Sequence, residues 1–368
     1  MRKLLKAELV KNIALSFVST LVMVFLIEMV LRVTEVVTSR TLEYAGPTLW
    51  RVNPGPLLPG QTFTDRFKRS LPFRVSVNNL GFRGRDLPLL KRAGTVRVLC
   101  LGDSYTFGAY VDDVETWPAQ LEVALRERLA GRDVEVLNAG ISGFTIVDEM
   151  DFLTEHGLGL DPDLVVVGFV LNDLADLTRR VSSREMLKRA SEESASWPLG
   201  PIKARLRQTA IYNALFVMKA YVRRSTGADP TIQEVDIRHL LKPDYDQTTL
   251  DLFERYQGHL AGMKELLGRR NIPLVLMIFP YWEQVSRNAT DQAQRHLVAM
   301  ARELAIPSLD LLPSYREHDP RGRKFFHMPW DHHPSARGYR RASQDLAEMI
   351  APLLSQPGRT SRLAAEPE

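Results

Sequence analysis

The chain has 368 residues, of which 45% are hydrophobic and 25% charged, with a formal net charge of +4. These proportions are those of a globular protein with a buried core, in one large domain or two ordinary ones. The basic excess is mild and no dense Lys/Arg face with interleaved aromatics accompanies it, which argues against a nucleic-acid partner. A single cysteine, Cys100, excludes an internal disulfide framework and a multi-cysteine metal site.

The first element is apolar. "NIALSFVSTLVMVFLIEMVLRV" supplies roughly twenty mostly apolar residues, about what a helix needs to cross a bilayer. It follows "MRKLLKAELVK", whose Arg2, Lys3, Lys6 and Lys11 hold that end in the cytoplasm. A cleaved signal peptide would have a shorter apolar core followed by a small-residue cleavage site, whereas "LRVTEVV" follows here. Glu28 and Arg32 are unusual in a span, but both fall near its outer end. The expectation is a basic cytoplasmic segment over 1–11 and an uncleaved single-pass anchor over 12–34. Everything beyond about residue 35 then lies in the periplasm or outside the cell.

Residues 35–94 are irregular and proline-rich ("NPGPLLPG") and read as a linker and an N-terminal cap. Within them, "FRVSVNNLGFRGRD" predicts a strand, a turn and a second strand. From Thr95 strands and helices alternate. The strands are "VRVLCLGDS", "VEVLNAGISG", "DLVVVGFVLND", "IPLVLMIFP" and "IPSLDLL"; the third is almost continuously apolar, as suits a strand buried on both faces. Helical spacing marks "ETWPAQLEVALRERLAG", "TIVDEMDFLTEHG", "LDLFERYQGHLAGMKELLGRRN", "DQAQRHLVAMARELA" and "SARGYRRASQDLAEMIAPLL". This alternation predicts an α/β domain over 95–354 with a doubly wound, parallel, five-stranded sheet. A basic insertion over 174–249, including the amphipathic "IYNALFVMKAYVRR", breaks the rhythm. It reads as a helical subdomain, as a lid over the active-site end rather than as a membrane contact. The polar tail over 355–368 reads as disordered.

The chemistry-bearing residues cluster after predicted strands. Gly102 frees the backbone to turn, and Ser104 lands at the end of the first strand, where ligands bind in open α/β sheets. Such a serine is either a helix N-cap or a nucleophile. Gly143 follows the second strand, Asn172 the third, and "DHHPSARGY" the fifth. His333, oriented by Asp331, is placed to take the serine proton. The Ser104 and Gly143 N–H groups and the Asn172 amide would supply an oxyanion hole. Asp103 and Asp173 read as turn-holding residues, Cys100 as a buried hydrophobe, and His327 and Trp330 as packing or pocket lining. No Asp/Glu cluster suitable for a metal lies near these motifs, and "GDSYTFGAY" lacks the spacing of a phosphate loop. No metal or cofactor is expected.

With those residues in view, the sequence resembles the SGNH hydrolases, the GDSL-type lipases and esterases. Their four signature residues occur in order: Ser104 in "GDSYTFG", Gly143 in "NAGISG", Asn172 in "LND", and His333 with Asp331 in "DHHP". Trp117 and Pro118 in "TWPAQLE" resemble the family too. The resemblance implies a flavodoxin-like sheet, a Ser-His-Asp triad and a three-donor oxyanion hole. One departure stands out, because the family's Asp-x-x-His-Pro is shortened here to Asp331, His332, His333, Pro334. That form resembles SGNH-like enzymes that move acetyl groups on exported polysaccharides. His333, directly before proline, is preferred as the base, with His332 the alternative. The expectation is a membrane-anchored serine esterase acting on O-acyl groups of an envelope or extracellular glycan. Its rivals are an O-acetyltransferase working with a membrane acyl donor, a lipase or lysophospholipase, and a non-catalytic anchored scaffold.

Overall fold

A computed structural model of the chain describes residues 2–34, 55, 57–66, 72–178, 206, 209–212, 214, 215, 218, 222, 237–286, 289–327 and 331–355. Part of the proline-rich linker, much of the insertion, Trp330 and the polar tail after 355 lie outside the described residues. The chain divides into two compact units, Met1–Leu42 with Ser194–Asp229, and Glu43–Glu193 with Pro230–Glu368.

In the first unit, α1 runs unbroken over Arg2–Thr34, a stretch that contains neither proline nor glycine. Its 33 residues span about 50 Å at 1.5 Å per residue. The window Glu8–Val33 has a mean hydropathy of 2.4 and none of it is buried, so the helix is long and apolar enough to cross a membrane.

The second unit opens with a two-stranded antiparallel ribbon, β1 (Thr62–Arg66) and β2 (Pro72–Ser76). Here the structure departs from the expected strand–turn–strand over 73–86. β2 pairs backwards with β1, and the forward pairing is reduced to one bridge, Val77 to Arg83, flanked by bonds from the Gly84 N–H to the Ser76 carbonyl and from the Asn78 N–H to the Phe82 carbonyl. Asn78 is the cause. Its side-chain oxygen accepts from the Leu80 and Phe82 N–H groups at 3.0 Å each, which draws those donors away from a ladder.

The main sheet is built from β3 (Val96–Gly102), β4 (Val134–Asn138), β5 (Leu164–Phe169), β6 (Leu274–Ile278) and β7 (Ser308–Asp310). Its order is β4-β3-β5-β6-β7, with every neighbouring pair parallel. Alternation within each strand feeds two cores. Leu99, Leu101, Val165, Val167 and Leu276 face α4 (Ile146–Glu155), α6 (Gln247–Gly268) and α7 (Gln292–Glu303). Val98, Cys100, Val166 and Met277 face α3 (Trp117–Arg128) and α8 (Ala336–Leu354). Trp117 is fully buried in that second core, and α3 starts where Thr116 accepts from the Ala119 N–H. The sheet is therefore doubly wound. After β3 the chain goes first to one neighbour, β4, and then to the other, β5. The carboxyl ends of β3 and β5 flank the crevice that such a reversal opens.

Two buried arginines stitch the segment before β3 to this sheet. Arg97 pairs with Glu135 at 2.7 Å and donates to the carbonyls of Pro88, Leu89 and Leu160. Arg83 pairs with Asp113 at 2.9 Å and donates to the carbonyls of Phe107, Gly108 and Val111. Each buried charge thus has an opposite charge and several acceptors, which a buried guanidinium requires.

Candidate active site

The site begins where β3 ends. Gly102 has φ of 149°, and a Cβ there would come within 2.1 Å of Thr106 Oγ1 and 2.9 Å of the Gly168 carbonyl. Only glycine admits this turn. Asp103 then caps the short helix α2 (Ser104–Phe107), its side chain accepting from the Tyr105 N–H at 2.8 Å. Ser104 is the first helical residue, half-buried at the carboxyl end of the strand.

His333 arrives from the loop before α8. Its Nε2 lies 2.8 Å from Ser104 Oγ, and its Nδ1 is hydrogen-bonded to Asp331 Oδ1. The same Asp331 oxygen accepts from the His333 backbone N–H at 2.9 Å. A carboxylate only accepts, so Nδ1 carries the proton and the Nε2 lone pair faces the serine hydroxyl. Burial alone would raise the Asp331 carboxyl, but the hydrogen bonds from the His333 ring and backbone N–H, and the ring's charge whenever it is protonated, outweigh it. They hold Asp331 below the usual carboxylate range. His332 turns the other way. Its ring stacks on Tyr281 at 5.8 Å and its Nδ1 lies 3.4 Å from Glu283.

Asn172 opens α5 (Asn172–Asp176) after β5, and its side-chain amide donates to Asp103 Oδ2 at 2.9 Å. Asp103 is thus shared, because Ser104 Oγ also lies 3.3 Å from the same oxygen. Gly143 sits in the turn after β4 with φ of 81°, a left-handed conformation that a side chain would strain. That turn is joined to β3 by the Ile141 N–H, which donates to the Gly102 carbonyl at 3.0 Å. The carboxyl ends of β3, β4 and β5 and the loop before α8 therefore supply the four motifs.

Three contributors carried no signal in the sequence. Tyr105 and Tyr110 lie against the His333 ring at 5.0 and 5.2 Å between centroids. Tyr110 does so from a left-handed backbone, φ 67°, a conformation costing a non-glycine residue about 1 kcal/mol or more. Arg83 holds that strained loop through the carbonyls on either side of it. Among the polar residues that read as structural, Asp173 Oδ2 accepts from the Val170 N–H at 3.0 Å. His327 meets Tyr110 edge-on at 6.0 Å, and burial pushes its ring below the ordinary histidine value despite the opposing charge of Asp331.

Behind the serine lies a buried acid group. Burial raises Asp103 despite the hydrogen bond from Asn172. Burial, then the charges of Asp103 and of other nearby acids, push Glu149 and Asp173 well above the carboxylate range. Glu149 Oε2 and Asp173 Oδ1 have no hydrogen-bond partner among the described residues. Among those residues no group of three or more His, Cys, Asp or Glu is placed to hold a metal ion.

The doubly wound parallel sheet thus sets a serine at the end of β3 against a histidine–aspartate pair. Residues 100–341 match the GDSL-like Lipase/Acylhydrolase family. The chain belongs to that family and is a hydrolase of ester bonds. Among solved structures it is similar to a lipase/acylhydrolase from Enterococcus faecalis, at 17% identity and a TM-score of 0.41, covering 70% of this chain and 96% of that one. It is also similar to an acetylxylan esterase from Geobacillus stearothermophilus, at 16% identity and a TM-score of 0.41, covering 71% and 96%. No curated protein matches the sequence.

Proposed function

We propose that the chain is a membrane-anchored serine esterase in which Ser104 is the nucleophile, His333 the general base and Asp331 its orienting carboxylate. The observation that carries this reading is the 2.8 Å approach of His333 Nε2 to Ser104 Oγ with Nδ1 engaged by Asp331. Ser104 Oγ attacks the ester carbonyl carbon as its proton passes to Nε2. The tetrahedral oxyanion is met by the Ser104 and Gly143 N–H groups and the Asn172 amide. Collapse breaks the bond to the alcohol oxygen, which takes the proton from Nε2 and leaves an acyl-enzyme. Water, deprotonated by the same nitrogen, releases the acid and restores the serine.

The substrate we favour is an O-acyl group on an envelope or extracellular glycan. Two features support it: the basic residues at the start of α1, Arg2, Lys3, Lys6 and Lys11, which orient the rest of the chain away from the cytoplasm, and the shortened Asp-x-His block. The test is to present the full chain, in detergent, with acetylated glycans and with long-chain lipid esters. Release of acetate from the glycans that is absent in Ser104→Ala supports the reading. Preference for long-chain lipid esters would replace the glycan by a lipid, and inactivity on every ester would refute the esterase assignment.

A further inference from the structure

The apolar window of α1 holds charged residues that a lipid environment should exclude, and for one of them, Glu28, the first unit supplies partners. Glu28 lies on α1 five positions before Val33, which at 1.5 Å per residue is roughly 7 Å from the end of the apolar window. Its two carboxylate oxygens accept from the backbone N–H groups of Ala210 and Ile211, at 2.9 and 3.0 Å. Arg32 adds a salt bridge at 2.7 Å. The next amide, Tyr212 N–H, donates to Thr209 Oγ1 at 3.2 Å. The first amides of a helix have no partner within it, and they carry the positive end of its dipole. Here a carboxylate from α1 and a threonine cap take up three of them. This is the kind of pairing that makes an acidic residue tolerable at membrane depth.

The helix that starts there is apolar on the outside. Residues 210–212, 214, 215, 218 and 222 are helical, and Ala210, beside Glu28, is fully buried. Leu215, Met218 and Val222 are more than half exposed, at 55, 56 and 52%. Their spacing of three and four residues sets them on one helix face. Leu206, just before the cap, is 49% exposed. In sequence, Lys219, Arg223 and Arg224 interrupt or follow this apolar set. A short helix with one apolar face and basic residues is built to lie in a bilayer interface, its apolar side chains about 5–10 Å into the headgroup–acyl boundary. Glu28 fixes its start at that depth.

We propose that the helical residues described between 210 and 222 belong to a second membrane-contacting element. It is an interfacial helix, docked through its N-terminus onto Glu28 of α1, with Leu215, Met218 and Val222 in the acyl boundary of the leaflet from which α1 emerges. The inference rests on reading α1 as a membrane anchor. It explains why Glu28 and Arg32 stand inside the apolar run, and it gives the first unit a second contact with lipid.

The test uses the full chain in phosphatidylcholine–phosphatidylglycerol vesicles, with Cys100→Ala removing the native thiol and a single cysteine placed by Met218→Cys or, as a reference, by Val22→Cys. Each thiol carries an environment-sensitive fluorophore, quenched either by spin-labelled lipid or by aqueous iodide. The proposal predicts that both positions are quenched by the lipid and protected from iodide. Adding Glu28→Ala should cut lipid quenching at 218 several-fold and leave position 22 unchanged. Iodide access at 218 with protection at 22 overturns the interfacial helix alone, whereas iodide access at 22 overturns the anchor reading itself. Shielding of 218 from both quenchers would put a protein surface there in place of lipid. An unchanged signal at 218 in the Glu28→Ala background would overturn the docking.

Discussion

Ser104 and His333 are 229 positions apart in sequence, and their contact exists only because the end of β3 and the loop before α8 meet at the carboxyl end of the sheet. The consequences are sharp at single residues. Ser104→Ala and His333→Ala are each expected to lower kcat on a chromogenic ester by 10⁴-fold or more, the scale seen when one member of a triad is lost. His332→Ala, whose ring faces Tyr281 and Glu283, should stay within a few-fold of the parent. A His332→Ala variant as dead as His333→Ala would reverse the choice of base. Asp103 acts one step back, as a positioning residue that holds the Asn172 amide. Asp103→Ala should therefore lower kcat by about 10²-fold, with KM little changed, since small misplacements of transition-state donors cost that much. A pure KM effect would contradict it. Asp331 also leaves a trace in acid. Because its folded carboxyl is held low, it stabilises the fold above the ordinary carboxylate range, and that stabilisation disappears as pH falls through the lowered value. Acid titration of Asp331→Asn should lack that limb.

At the scale of elements, the acid group behind the serine works in the opposite sense. Glu149 and Asp173 have raised folded values, so the fold holds protons that the unfolded chain gives up above the ordinary carboxylate range. Stability then falls as pH rises from that range toward their folded values. Glu149→Gln keeps the shape and removes one titration. Its thermal midpoint should exceed the parent's at pH 8 by more than at pH 4.5, and equal gains at both would refute the assignment. Arg83 ties the segment before β3 to the loop that carries Tyr110. Arg83→Ala should cost about 3 kcal/mol in denaturant unfolding, typical of breaking a buried ion pair, and should lower kcat through the loosened His333 ring. Strand β5 was legible in sequence because burial on both faces writes a continuous apolar run, "LVVVGF". The helices were legible from their 3.6-residue spacing. The second strand expected after Asn78 was not, since its loss depends on side-chain hydrogen bonds that alternation does not encode. "IPSLDLL" shrank to Ser308–Asp310 because Leu312 and Pro313 already begin a helix.

For the molecule as a whole, the family could be read from four short motifs, because each sits where a strand must stop, and the doubly wound parallel sheet from the alternation of strands and helices. Tyr105, Tyr110 and Arg83 could not, since a single aromatic or basic residue has no period and no motif. The apolar helix expected over 12–34 was plain from hydropathy, and the stretch long and apolar enough to cross a membrane covers Glu8–Val33. The role of Glu28 was not, because its partners lie 182 and 183 residues downstream. The orientation proposed for the chain has its own check: protease applied from the non-cytoplasmic side should digest the second unit and spare residues 1–11. Protection of the second unit would reverse the topology.

The central claim is that Ser104 is an activated nucleophile, and a fluorophosphonate adduct mapped by mass spectrometry on the full chain tests it most directly. The account predicts a single adduct at Ser104, lost in Ser104→Ala and His333→Ala and retained in His332→Ala. A folded parent protein that takes no adduct, or takes it at another serine, would contradict the claim.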